Sequence, residues 1–208
     1  MGTESIEASF LSIFALISFF VFLLANKYSH KIREGILLDK DFLKPQAFHQ
    51  SAISRAGGLA GIISLNFFFI IYYLIYSKIL FDYIFICNLM FLIGFLDDVR
   101  TNISASKRLN LMIVFLFLII HFFSIKILNI DIPFLNTLLE NNIFSSLFVL
   151  LCFLFIINGA NLIDGFNGLL TIHLIIINSV LTYINMSSGN TEFSIFIIGQ
   201  IIILFSFL

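Results

Sequence analysis

Runs of about twenty apolar residues dominate this chain, and each is long enough to cross the ~30 Å hydrocarbon core of a bilayer as a helix. Seven are read, near 7–25, 56–76, 79–96, 109–128, 143–160, 168–186 and 192–208. A mean hydropathy of +1.09 with only 11% charged residues excludes an ordinary soluble domain. The expected fold is all-α: a polytopic transmembrane helix bundle forming one integral-membrane domain over residues 1–208. The first run is not a cleaved leader, because Glu4 and Glu7 precede it where a signal peptide carries positive charge.

Charge placement sets the orientation. With the N-terminus outside, every Lys and Arg of the eleven except Lys78 and Lys126 falls on the inner side. The same topology puts three polar clusters at the inner edge. They are His49-Gln50-Ser51-Ala52-Ile53-Ser54-Arg55-Ala56-Gly57-Gly58, Gly94-Phe95-Leu96-Asp97-Asp98, and Asn158-Gly159-Ala160-Asn161-Leu162-Ile163-Asp164-Gly165-Phe166-Asn167-Gly168. Ionisable groups at the lip of apolar helices cost free energy, so convergent clusters point to one site facing the cytoplasm. There is no basic stripe with interleaved aromatics, which excludes a nucleic-acid partner. Cys87 and Cys152, inside apolar runs, read as buried free thiols.

Each cluster has a chemistry. Asp97 and Asp98 are adjacent carboxylates, which stay charged together only beside a cation or strong donors; Mg²⁺ suits such oxygen ligands. As a pair alone they serve equally well as solvated helix-ending acids. Asn158, Asn161 and Asp164 recur every third residue and share one face of a helix, where their oxygens suit a metal or sugar hydroxyls. Gly165 and Gly168 allow a sharp turn behind them. Arg55 stands directly before Gly57-Gly58, where a guanidinium can grip two phosphate oxygens. The other loop cations need no role beyond orientation. Gly57 and Gly61 form a small-residue pair suited to close helix packing. His121 and His173 read as mid-span packing residues.

Together the three clusters resemble the motifs of the polyprenyl-phosphate N-acetylhexosamine-1-phosphate transferases. His49 to Gly58 is similar to their first-loop motif, Gly94 to Asp98 to Gly-x-x-Asp-Asp, and Asn158 to Gly168 to Asn-x-x-Asn-Leu-x-Asp-Gly-x-[Asp/Asn]-Gly. The resemblance implies a Mg²⁺-dependent enzyme of the bacterial inner membrane, working on its cytoplasmic face. Its substrates would be a UDP-N-acetylhexosamine and polyprenyl phosphate, and it would release UMP. It implies Asp97, Asp98 and Asp164 as catalytic acids and Asn158 at a metal-associated position. Asn161 and Asn167 would line the donor site, and His49, Arg55 and Arg108 would hold phosphates. Ser54-Arg55-Ala56-Gly57-Gly58 lacks the Gly-Thr-Pro-Thr-Met-Gly-Gly string of the muramoyl-pentapeptide branch. It looks more like the branch that starts O-antigen, teichoic-acid or related glycans with N-acetylglucosamine-1-phosphate. Family members often pair as dimers in the membrane.

Two departures set the alternatives. The family's Gly-Asp-x-Gly-Ser motif and His-rich loop are missing; the closest string, Ile197-Ile198-Gly199-Gln200, has no carboxylate. With the last run ending at Leu208 without a polar flank, the chain reads as C-terminally truncated, and an inactive fragment is one alternative. A transporter is the remote one; it would carry its ionisable groups near mid-membrane, whereas the acids here stand at the edge.

Overall fold

The computed structural model describes residues 2–29, 38–39, 53–54, 56–98, 104–163 and 168–208. The long elements are α1 (Gly2–Ser29), α2 (Gly57–Tyr76), α3 (Phe81–Asp98), α4 (Ala105–Phe122), α6 (Asn142–Ile163), α7 (Leu169–Ser187) and α8 (Thr191–Phe207), with a short α5 (Pro133–Leu139) before α6. Between α1 and α2, two-residue segments β1 (Leu38–Asp39) and β2 (Ile53–Ser54) pair antiparallel. The protein is an all-α polytopic membrane protein, as its hydropathy requires. Each expected span coincides with one long helix, but the count of seven crossings is not reached on length and apolarity. Among the described residues, four helices are long and apolar enough: Ile6–Ser29, Gly57–Tyr76, Asn142–Ala160 and Leu169–Ser187. Phe81–Leu96 and Thr191–Phe207 are shorter apolar helices.

The fourth run is displaced from its expected 109–128. Its helix begins at Ala105, so Lys107 and Arg108 belong to the first turn. It stops at Phe122 because Ser124 adopts a left-handed conformation (φ 51) and Ile125 N–H reaches back to Ile120 O at 3.0 Å, which closes the last turn. His121 therefore lies in the last turn of α4 and His173 near the start of α7. Both side chains are exposed, so neither is the mid-span packing residue that the sequence suggests.

Contacts divide the chain into two compact units. The first comprises residues 1–91 and 164–208. In it, α8 packs against α1, α2 and α7, and α1 against α2. Its core is aromatic: Phe14 from α1, Phe68, Phe69 and Tyr72 from α2, and Phe196 and Ile197 from α8. Phe14 and Phe68 lie 5.1 Å apart between ring centroids, and the Tyr72 ring meets Phe196 edge-on at 5.9 Å. Lipid tails are as apolar as these side chains, so shape and close contact hold helices together more than exclusion from water does. Aromatic pairs add about 0.5–1.5 kcal/mol each beyond burial. Small residues let the backbones approach: Ser18, Ser64 and Ala60 are fully buried, and Gly57 faces the Phe207 ring. Gly57 and Gly61 thus pack within the chain, against α8 and α1, and give no support to a dimer.

The first unit also has a polar tie at the end of α2 remote from Gly57 and Gly58. Glu192 accepts from Lys78 Nζ at 2.6 Å and from Tyr72 OH at 3.1 Å, and Glu7 accepts from Tyr76 OH at 2.8 Å. Glu192 stands in the first turn of α8, where the helix dipole favours a carboxylate. Lys78 is 62% exposed, so the ion pair itself adds little.

The second unit is residues 92–163. Here α4 and α5 both pack on α6. Met112, Leu116, Ile119 and Ile120 recur at helical spacing on the buried face of α4, with Val149 and Leu150 buried on α6.

Gly199 is the position where packing tolerates least. A Cβ there would overlap the Phe68 ring in the aromatic core. Gly199→Ala should lower stability by about 1–3 kcal/mol, the usual cost of overpacking. Gly61→Ala, whose nearest neighbour would be an ordinary 3.9 Å contact with Phe22, should not. Unfolding of the two variants in the same detergent checks this.

Candidate active site

The second unit brings the described candidates of α4 and α6 to one end. At its other end, the α4–α5–α6 connection is tied by Lys126 Nζ donating to Asn142 Oδ1 at 2.8 Å. Because α4 leaves that end as α6 enters it and the two pack together, they run antiparallel. The first turn of α4 and the last turns of α6 therefore lie at the same end. The last turn of α3 is joined to α4 through residues 99–104. Asp97, Asp98, Lys107, Arg108, Asn158 and Asn161 are all carried by these three helix ends.

Their charges oppose what helix stability asks for. A helix C-terminus carries partial negative charge and favours cations, and an N-terminus favours anions. Here Asp97 and Asp98 close α3, and Lys107 and Arg108 open α4, which has no acid in its first turn. Ser104 precedes α4 in an extended conformation without a side-chain cap. Each misplaced charge costs about 0.3–1 kcal/mol when exposed. The result is a strongly negative end next in sequence to a strongly positive one. The first suits a cation and the second an anion, the two halves of a metal–diphosphate.

Asn158 and Asn161 both belong to α6, three residues apart and hence on neighbouring positions of one face, as their spacing predicts. Asn158 is exposed and donates Nδ2–H to Leu154 O at 2.8 Å. With its amine engaged along the helix, the amide offers its oxygen, the atom that a hard metal or a sugar hydroxyl would use. Gly168, just before α7, has φ 75, so the turn closing the third motif uses the left-handed region that favours glycine. Arg108 is half-buried, its backbone N–H bonded to Ser104 O at 3.0 Å. His49, Arg55, Asp164 and Asn167 lie outside the described residues. Asp97, Asp98 and Asn161 are placed by their backbone alone.

The family model described as glycosyl transferase family 4 matches residues 80–208, more than half of the chain. The chain belongs to glycosyl transferase family 4. It is also 32% identical, over 124 residues, to a phospho-N-acetylmuramoyl-pentapeptide-transferase of Clostridium perfringens strain 13, covering 56% of this chain and 39% of the relative. The same-named protein of strain ATCC 13124 matches at 32% identity over 124 residues, 56% of this chain and 38% of its own length. The match thus spans about two fifths of the curated relatives. No solved structure matches. The family match includes the second and third motif clusters; the first lies upstream of it.

Motif reading alone misses Asn66 and Asn88. Their signal is one amide inside each of two consecutive apolar runs, which is costly unless the two meet. They do meet: each donates Nδ2–H to the other's Oδ1 at 3.0 Å.

Charges set against helix stability have a measurable signature. Asp98→Asn and Lys107→Gln should each raise the unfolding free energy of the ligand-free protein by about 0.3–1 kcal/mol at low salt. A loss of stability in either variant would mean that the charge is held by a structural partner instead.

Proposed function

We propose that the protein transfers a sugar-1-phosphate from a UDP-N-acetylhexosamine to polyprenyl phosphate at the cytoplasmic face of a bacterial inner membrane, as a first step of cell-surface glycan synthesis. The observation that carries this reading is the family match across Asp97–Asp98 and the Asn158 cluster, on helix ends whose charges suit a metal and a diphosphate. In this reaction an acceptor phosphate oxygen attacks the sugar-bearing phosphorus of the donor. The bond from that phosphorus to the bridging oxygen breaks, and UMP leaves with the electron pair. The second pKa of a phosphate monoester is about 6, so the acceptor is already mostly dianionic near neutral pH and needs no general base. The harder task is to bring two polyanions together.

The residues divide that task. Asp97, Asp98 and Asp164, with the Asn158 oxygen, would supply hard oxygen ligands of the kind that suit Mg²⁺. When bound, the ion would neutralise diphosphate charge and polarise the phosphorus under attack. His49, Arg55 and Arg108 hold phosphate oxygens, and Asn161 and Asn167 orient the donor. The donor sugar is N-acetylglucosamine rather than N-acetylmuramoyl-pentapeptide. This rests on the wording of Ser54-Arg55-Ala56-Gly57-Gly58, although the two relatives above are named for the muramoyl substrate.

In proteoliposomes containing polyprenyl phosphate, UDP-N-acetylglucosamine should yield UMP and lipid-linked sugar. Chelation should stop this and Mg²⁺ should restore it, and Asp98→Asn should lower the rate at least about a hundredfold. UDP-N-acetylmuramoyl-pentapeptide run in parallel decides the branch. The rate should rise as pH passes about 6, following the acceptor dianion, and then level off, in wild type and Asp97→Asn alike. An alkaline-shifted profile confined to Asp97→Asn would instead make Asp97 a general base.

A further inference from the structure

Helix α3 is too short for the bilayer that its neighbour fits. At about 1.5 Å per residue, the 20 residues of α2 reach roughly 30 Å, the thickness of the hydrocarbon core. The apolar part of α3, Phe81–Leu96, reaches only about 24 Å, with Asp82 at one end and Asp97–Asp98 at the other. Such a helix is accommodated by local thinning of the bilayer or by displacement along the membrane normal, and displacement draws one carboxylate end toward hydrocarbon as the other rises into water. The four-residue link Ser77–Leu80 ties α3 to α2 only at the end remote from Asp97.

The amide pair lies between these two ends. Asn66 is in the middle of α2 and Asn88 in the middle of α3. Beyond the reciprocal 3.0 Å bonds, Asn66 donates its second N–H to Ile62 O and Asn88 to Ile84 O, both at 2.8 Å. Both amines are therefore fully used, and each amide oxygen accepts from the other helix. A slide of α3 by even one residue would break both cross-bonds and leave amides unpaired in lipid, so the pair defines one axial register. Asp97 follows Asn88 by nine residues on the same continuous helix.

We propose that the Asn66–Asn88 pair is a positioning device that pins the short helix α3 to the full-length helix α2 and so fixes the depth of Asp97 and Asp98 in the membrane. These two residues touch no substrate; they act through the helix that carries the acids. The catalytic consequence rests on the function proposed above, whereas the pinning itself does not.

The test varies bilayer thickness. Spin labels at Ile63 on α2 and Leu96 on α3, both exposed, are introduced one at a time as cysteines in a Cys87→Ser/Cys152→Ser background. Their depths are read from oxygen and nickel-chelate accessibility in phosphatidylcholine vesicles of short, medium and long acyl chains. With the pair intact, the depth difference between the two labels should stay constant across lipids. In Asn66→Leu/Asn88→Leu it should change with thickness by at least one residue rise, about 1.5 Å. Asn66→Ser/Asn88→Ser, whose hydroxyls can back-bond along their own helices but are too short to reach across, should behave like the leucine pair; it serves if the leucine pair fails to insert. Transfer activity should depend little on lipid in the wild type. In both double variants it should fall at least about tenfold in long-chain lipid and recover in short-chain lipid that matches α3, which a merely destabilising change would not produce. Labels that keep a constant depth difference in the double variants would overturn the proposal. If the wild type transfers nothing, the function proposed above fails while the label depths still decide the pinning.

Discussion

The structure depends on one constraint: within hydrocarbon, backbone polar groups must find their partners inside the chain, and polar side chains left without one are costly. Helices satisfy the backbone. Many polar side chains bond to the carbonyl one turn back on their own helix, as Asn158, Ser179, Thr182 and Ser206 do, and others meet across helices, as Asn66 and Asn88 do, while the buried hydroxyls of Ser18, Ser64 and Ser145 have no such partner. Groups that must meet water, metal or phosphate have only the helix ends left to occupy. That is why the acids and bases of this chain sit at ends, and why chemistry and topology are read from the same residues.

Occupying an end brings a conflict of its own. Helix termini already carry partial charge, and stability would put Lys at the end of α3 and Asp at the start of α4. The chain does the reverse with Asp97–Asp98 and Lys107–Arg108, yet follows the rule elsewhere: Lys27 closes α1 and Glu192 opens α8. The contrast separates two uses of charge in one molecule. Where a charge only anchors a helix, it agrees with the dipole. Where, on the proposed function, it faces ligands of opposite sign, field and side chain would add together, and the ligand would relieve the repulsion. This is electrostatic preorganisation at the cost of local stability.

Hydropathy made the long helices legible because lipid enforces uninterrupted apolar runs, and the motif clusters stood out because polar residues interrupt those runs. What stayed hidden follows from the same physics. The start of α4 was missed because Lys107 and Arg108 look like loop residues by polarity, although a helix entering the interface tolerates them. Short α5 carries only seven residues, too few for a periodic signal. The roles of Gly199 and Phe68, and of Tyr72, Tyr76, Glu7 and Glu192, depend on which helices meet, which one sequence does not encode locally. Of the site itself, the spacing of Asn158 and Asn161 on one helix and the shared side of the α4 start and the α6 end were legible, whereas the direct packing of α4 on α6 needed coordinates.

The division of labour along the chain bears on how substrate follows from kinship. The family match begins at residue 80 and covers Asp97 and Asp98, the basic turn of α4 and the α6 amides, groups whose chemistry suits phosphates, metal and polar rings in general. None of them reads what hangs from the sugar. On the proposed function, a donor bearing a pentapeptide and one bearing only an acetamido group would present the same diphosphate to Asp97, Asp98 and Arg108. Discrimination between them must come from groups that meet the sugar and its substituents, and a site rejects an analogue strongly only where buried polar groups would be left unpaired. Identity to a muramoyl-pentapeptide transferase over 124 residues therefore argues for shared phosphoryl chemistry and leaves the sugar to residues outside that chemistry. His49 to Gly58, upstream of the family match and rich in polar and small residues, is the stretch on which that choice should turn.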